Sequence, residues 1–214
     1  MDGIETDDIG RQQFTKRMDV SRETMTDFDT YAALLRKWSP KINLVSKNTL
    51  PMLWTRHFLD SAQILSHAHI TSGHWVDIGS GGGLPGLVLA ILAKKKMPDL
   101  RFTFVDSDTR KCVFLQTVTR ELNLQVNILP HRIDAIEPLS ADILSARALA
   151  PLTIVLGYAA KHLNGSGRAV LMKGASFQQE VDVALETWAF QSDEHISITD
   201  NAAVILNIGD ITRV

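Results

Sequence analysis

The sequence predicts an α/β protein: a doubly wound, mostly parallel seven-stranded sheet with a helical N-terminal extension. Three observations carry that expectation. Up to about residue 72 the apolar residues recur only at helical spacing. From His74 onward, short apolar runs alternate with helix-length segments, the pattern of a parallel sheet covered on both faces. The last two strand candidates have no helix between them, so an antiparallel hairpin closes one edge. The chain therefore divides into residues 1–72, the extension, and residues 73–214, the sheet domain, within one compact unit.

The elements follow in order. The first twenty residues are polar, lack sustained periodicity and are expected to fray. Ser21 has the chemistry of an N-cap, and Phe28, Tyr31, Leu34, Leu35 and Trp38 follow at helical spacing until Ser39-Pro40 stops the pattern. A second helix starts near Asn48-Thr49 with Pro51 in its first turn and carries Leu53, Trp54, Phe58, Ala62 and Leu65. His74–Ile78 is the first strand and runs into a glycine-rich turn. Leu84–Lys95 is a helix and Arg101–Val105 a strand. Thr109–Leu122 is a helix with Val113, Leu115, Val118 and Leu122 as its apolar set. Strands at Val126–Leu129 and Asp142–Ser145, a helix at Pro151–Leu163 and a strand at Arg168–Met172 continue the alternation. A helix at Phe177–Glu186 precedes the last strands, Glu194–Ile198 and Ala202–Ile208.

Composition removes several classes of function. Apolar residues make up 45% of the 214 and charged residues 21%, which excludes wholesale disorder. The longest apolar run, Leu87–Ala93, is too short to span a bilayer. Met1-Asp2-Gly3-Ile4-Glu5 lacks the basic and apolar regions of a secretory signal, so a cytoplasmic protein is expected. The single cysteine, Cys112, excludes an internal disulfide and a cysteine-rich zinc site. His67 and His69 lack a third ligand nearby, so no metal is expected. The net charge is −2, yet five basic residues (Arg36, Lys37, Lys41, Lys47, Arg56) stand against one acid between Tyr31 and Asp60. After Gly174 seven acids stand against Arg213 alone. A polyanionic partner would meet the N-terminal third, aided by Lys94-Lys95-Lys96; the plain alternative is a set of solvated lysines.

The chemistry concentrates in Asp77-Ile78-Gly79-Ser80-Gly81-Gly82-Gly83-Leu84-Pro85-Gly86. In open α/β sheets ligands bind beyond the carboxyl ends of the strands, and Gly79, Gly81 and Gly83 let a backbone turn tightly there. Gly81-x-Gly83-x-x-Gly86 fits a dinucleotide fingerprint, whereas Asp-x-Gly-x-Gly-x-Gly fits the first motif of S-adenosylmethionine (SAM) methyltransferases. Pro85 deletes one amide that a pyrophosphate would use, and Asp77 suits a cationic ligand electrostatically; both points favour SAM. Asp106, at the end of the second strand, suits the two ribose hydroxyls of an adenosine or caps the following helix. Ile133 and Asp134 suit an adenine ring and its amine, or Asp134 caps a turn.

Arg56-His57-Phe58-Leu59-Asp60-Ser61 and the glycine segment with its Leu84-Pro85-Gly86 ending resemble the glucose-inhibited division protein B (GidB, RsmG) family. So do Asp106-Ser107 before Arg110-Lys111, Arg147-Ala148, and Met172-Lys173-Gly174, and the likeness runs from about Tyr31 to Ile208. Where many members read Ser-Arg-Ala, this chain has Ser145-Ala146-Arg147-Ala148. The resemblance implies a class I, Rossmann-like SAM-dependent methyltransferase acting on guanine N7 of bacterial small-subunit (16S) ribosomal RNA. It implies SAM contacts at Gly79, Leu84, Ile133, Asp134 and Arg147, with Asp106 toward the ribose and Gly81 and Gly83 in the loop.

That chemistry needs no general base, because N7 offers a lone pair without a proton. The apparatus of other nucleobase methyltransferases is absent: Lys111, not proline, precedes Cys112, and no Asn/Asp-Pro-Pro-aromatic segment exists. Arg147 is positioned for a SAM carboxylate, an RNA phosphate or a surface ion pair. Lys173, Arg56 and His57 join Lys37, Lys41 and Lys47 as RNA-facing candidates, each with a structural alternative. Trp54 and Trp75 read as core. Three other functions remain open from the residues: an NAD(P)-dependent oxidoreductase, although no Tyr-x-x-x-Lys pair occurs at Tyr158; a small-molecule SAM methyltransferase; and a non-catalytic SAM-binding regulator. A monomer is expected.

Overall fold

In the computed structural model, which describes residues 3–214 and side chains from residue 7 onward, seven strands form one sheet in the order β3-β2-β1-β4-β5-β7-β6. They are β1 (Gly73–Ile78), β2 (Leu100–Val105), β3 (Val126–Leu129), β4 (Ala141–Arg147), β5 (Leu163–Lys173), β6 (Trp188–Ile196) and β7 (Val204–Arg213). Strands β1 to β5 pair in parallel; β7 runs antiparallel between β5 and the edge strand β6. The expected hairpin is present, with both strands longer than their apolar residues announce. Strand order reverses between β1 and β4, which places the crevice beyond Ile78 and Arg147.

Alternate strand residues serve the two faces. Trp75, Phe102, Phe104, Ile143, Val170 and Ile205 pack under the N-terminal helices and under α5 (Gly86–Lys96) and α6 (Thr109–Glu121). Val76, Ile78, Leu144, Ala146, Leu171 and Leu206 pack under α7 (Leu152–His162) and α8 (Phe177–Leu185). Helix α6 buries Cys112, Phe114, Leu115 and Val118, whereas Val113 is about half exposed, correcting the apolar set read from spacing.

The N-terminal segment departs most from expectation. Gly3–Met18 is a helix, α1, not a frayed tail; residues 1 and 2 lie outside the description. One side chain explains it: Phe14 is fully buried among Phe28, Trp54 and Phe58, a gain of roughly 1.5–3 kcal/mol for such a ring. Helix α2 (Arg22–Ile42) is capped by Ser21 as read, but runs through Pro40 to Asn43, whose left-handed backbone returns its N–H to the Ser39 carbonyl. The proline sits in the final turn, where its missing N–H costs one bond rather than a helix. The expected second helix is broken into a 3-10 turn at Leu50–Met52, a π-helical turn at Trp54–Leu59, α3 (Asp60–Ala62) and α4 (Leu65–Ala68). No described helix is long and apolar enough to cross a membrane.

Candidate functional site

Register assembles the centre. Asp77 on β1 lies opposite Ser145 on β4, and Ser145 Oγ donates to Asp77 Oδ1 at 2.6 Å while accepting from Trp75 Nε1 at 2.8 Å. The other oxygen, Asp77 Oδ2, accepts from the Gly86 amide at 3.3 Å, and Ser80 Oγ donates to the Asp77 carbonyl at 2.8 Å. Asp77 thus staples the start of α5 to the sheet. Its carboxyl is fully buried, and burial pushes its pKa up to about 7. The electrostatic match of Asp77 to a cationic ligand, expected from sequence, therefore excludes direct contact, for no part of the side chain is accessible.

Above this staple the chain turns at Gly79, Gly81 and Gly83, all in the left-handed region. A Cβ on Gly79 would stand 2.5 Å from Leu149 Cδ1, so only glycine fits that bend. Tyr31 of α2, fully buried, donates its hydroxyl to the Gly82 carbonyl at 2.5 Å and supports the turn from beneath. Asp106 ties the turn to the end of β2: its carboxylate accepts from the Gly81 amide at 2.7 Å and the Asp108 amide at 2.8 Å. The helix cap expected as an alternative for Asp106 belongs instead to Asp108, which accepts from the Arg110 amide.

Two cavities open at this edge. The first, of about 370 Å³, is lined by Gly79, Asp106, Ser107, Ile133 and Asp134, with Lys111 and Tyr158 at its margin. It brings together four of the eight cofactor residues expected from sequence. Gly81, Gly83 and Leu84 form the supporting turn without lining it, and Arg147 faces elsewhere. Asp134 is exposed and paired with Arg132 at 2.9 Å, which holds its carboxyl below the ordinary value. His162 Nε2 meets the Ile133 carbonyl at 2.9 Å and fixes that short turn.

The second cavity, of about 660 Å³, is lined by Arg56, Asp60, Arg147, Lys173, Glu180 and Asp200 among others. Ala148, Leu149 and Ala150 line both, so this short segment is the wall between them. Arg147 donates to the Arg56 carbonyl at 2.8 Å and lies 3.4 Å from Asp60. Asp60 also accepts from Thr199 at 2.6 Å and from Ser197 at 3.2 Å, joining the π-helical turn to the loop after β6. Arg56 pairs with Asp200 at 3.1 Å. Lys173 is spoken for: its ammonium donates to the Ala150 carbonyl at 3.0 Å and to Glu180 at 2.7 Å. Glu180 in turn accepts from the Leu152 amide at 2.8 Å, so the pair clamps the wall.

Other expectations shift too. His57 is 7% exposed, with Nε2 on Thr49 Oγ1 at 2.9 Å, and burial lowers its pKa to about 3. A neutral, enclosed imidazole does not reach a macromolecule, whereas Arg56 beside it is exposed. Lys94 and Lys95 pair with Asp27 and Glu23 of α2 and so pin helix to helix. Lys37, Lys41 and Lys47 are exposed and form no ion pair among the described residues. His67 stacks on His195 at 4.0 Å, and no described group of three or more His, Cys, Asp or Glu residues suits a metal. Sequence reading assigned no role to Asp60, Glu180 or Ser145, whose partners Thr199, Leu152 and Trp75 lie 139, 28 and 70 positions away.

The chain is similar to known proteins in sequence and in fold. The most similar relatives include the ribosomal RNA small subunit methyltransferase G of Ruegeria sp. strain TM1040, 48% identical over 92% of this chain and 96% of its own length. That of Paracoccus denitrificans is 48% identical over 89% and 97%, and that of Paramagnetospirillum magneticum 38% over 96% and 98%. Among solved structures, a putative SAM-dependent methyltransferase of Methanococcus maripaludis superposes with a TM-score of 0.55 at 16% identity, covering 83% of this chain and 91% of that one. The ribosomal protein L11 methylase of Lactobacillus delbrueckii gives 0.53 at 18%, covering 70% and 76%. These distant likenesses establish the class I methyltransferase fold. The family model for GidB, described as rRNA small subunit methyltransferase G, matches residues 24–208, and the chain belongs to that family.

Proposed function

We propose that this protein transfers a methyl group from SAM to N7 of a guanine in small-subunit ribosomal RNA, as a monomer in the cytoplasm. Residues 73–214 hold the donor, and residues 1–72 supply much of the RNA-facing surface. The observation that carries the reading is the pair of cavities divided by Ala148–Ala150, one against Asp106 and the other lined by Arg56, Arg147 and Lys173 together with their partners Asp60, Glu180 and Asp200.

The first cavity fits an adenosyl group on three counts. Its volume lies in the range of small-ligand pockets. The Gly79 bend leaves no Cβ where a ligand would approach. Asp106 presents a carboxylate pre-oriented by two amides, with unused lone pairs for ribose hydroxyls, and Ile133 offers an apolar plate for a ring. When bound, SAM supplies an electrophilic methyl group on a cationic sulfur. Gly79, Asp106, Ile133 and Asp134 hold it there, and Gly81, Gly83 and Leu84 shape the turn.

The second cavity receives the purine. Arg56 and Arg147 line it as fixed cations, and the carboxylates of Asp60 and Glu180 are consumed by hydrogen bonds. Asp200, the third carboxylate of the lining, is paired with Arg56, and a lone-pair nucleophile asks for no proton acceptor. Arg147 acts from this side, positioning Arg56 and the π-helical turn. Lys173 acts through the wall that it clamps. Lys37, Lys41 and Lys47 supply unpaired charge for backbone phosphates.

The test is transfer of labelled methyl from SAM to small-subunit RNA taken from a strain lacking the enzyme, with the modified position mapped. The reading expects one N7-methylguanine. Failure on both naked RNA and assembled subunits, or a nicotinamide nucleotide bound in the first cavity, overturns it.

A further inference from the structure

A third depression, of about 630 Å³, lies on the other side of the ridge that bounds the second cavity. Thr55 and Leu59 of the π-helical turn line it, while Arg56 of that turn and Asp60 at the start of α3 line the second cavity. The loop after β6 is divided likewise, with Ile198 on one side and Ser197 and Asp200 on the other. Its outer rim is the last turn of α1, which contributes Gln13, Lys16 and Arg17.

The charge of this groove is one-sided. Lys16 and Arg17 are exposed, neither forms an ion pair among the described residues, and no acid lines the groove. Other cations of this region are neutralised: Arg11 by Asp29 at 2.6 Å, and Arg36 by Asp7. The pair is also held in place, because Phe14, two and three residues earlier, is fully buried in the aromatic cluster. Two fixed cations beside polar Gln13 and Thr55, with Ile198 half exposed on the opposite bank, suit a sugar–phosphate strand passing a basic rim.

From this geometry we infer that the α1 groove is a second RNA subsite, in which Lys16 and Arg17 grip phosphates of the strand flanking the base held in the second cavity. The inference rests on the proposed function and extends it to a helix outside the family-matched residues 24–208. An acidic protein surface would meet the same charge but would gain nothing from a groove beside the purine cavity.

The test uses the full chain with Lys16→Gln/Arg17→Gln, and Lys16→Arg/Arg17→Lys as the conservative control. Binding to naked small-subunit RNA is measured across a salt series, and SAM affinity is measured separately. Two lost phosphate contacts remove about 1.4 from the log–log salt slope and weaken binding roughly 25-fold at 0.1 M salt. The charge-retaining control restores both, and SAM affinity stays unchanged. An unaltered slope in the Gln variant, or a loss that the control shares, overturns the subsite. A wild-type protein that binds SAM but neither binds nor methylates RNA overturns the proposed function itself, and the subsite with it.

Discussion

Asp77→Asn should change how stability depends on pH. The wild-type carboxyl is fully buried with a pKa of about 7, against 3.8 when unfolded. Between those values the folded protein keeps a proton that the unfolded chain has released, so stability falls as pH rises through the interval. Linkage gives a loss of roughly 2.5 kcal/mol between pH 5 and pH 8 from this one group. The substitution keeps an acceptor for the Gly86 N–H in the amide oxygen, while its NH2 reverses the Ser145 bond, making Ser145 Oγ the acceptor. Buried histidines pull the other way. His57, with its pKa lowered to about 3, stays neutral when folded, and its contribution is lost as pH falls below about 6.5. That contribution is common to both proteins and cancels in their difference. Urea unfolding of wild type and variant at several pH values supplies the difference curve. It should favour the variant by roughly 2.5 kcal/mol more at pH 8 than at pH 5. A difference that is flat, or that rises toward low pH, refutes the buried, protonated staple.

Three other outcomes follow from the site. Asp106→Ala should weaken SAM binding at least about tenfold by calorimetry, since charge-assisted ribose bonds are lost; Asp106→Asn, which can still accept from Gly81, should lose less. Equal affinities for wild type and both variants would remove the ribose assignment. Gly79→Ala should destabilise the fold by at least about 1–2 kcal/mol through its left-handed backbone, and Leu149→Ala in the same chain should recover only the steric part. Full recovery by thermal melting would show that the backbone strain is absent. Charge reversal at Lys37, Lys41 and Lys47 should flatten the salt dependence of RNA binding by about 2 log–log units, and an unchanged slope would move the phosphate track off α2.

Strands β1 to β5 were legible because each is an apolar run closed by a turn, and burial on both faces leaves such runs little alternative. The edge strand β6 begins six residues before the expected Glu194, because only Trp188 and Phe190 of Trp188–Asp193 pack against the core and two residues make a weak alternation. Helix α1 was illegible for a different reason: Phe14 is the fully buried anchor of a mostly polar sixteen-residue helix in which Ile9 is exposed, and one residue makes no period. A π-helical turn differs from an α-turn by less than one residue per turn, too little to register over Trp54–Leu59. In the site, the glycine turn and Asp106 were readable from local spacing. The burial of Asp77, the enclosure of His57 and the engagement of Lys173 with Glu180 were not, because each depends on where a distant helix or strand comes to rest.

The bond from Tyr31 to Gly82 joins positions 51 apart and makes the extension part of the glycine turn's foundation. In a chain pruned to begin at residue 73 the Gly82 carbonyl would lose its Tyr31 donor, and Leu35 and Leu44, which lie beside that turn, would be gone. The apolar sheet face around Trp75 and Ile205 would be uncovered with it. What reads in the sequence as an appendage is, mechanically, the floor.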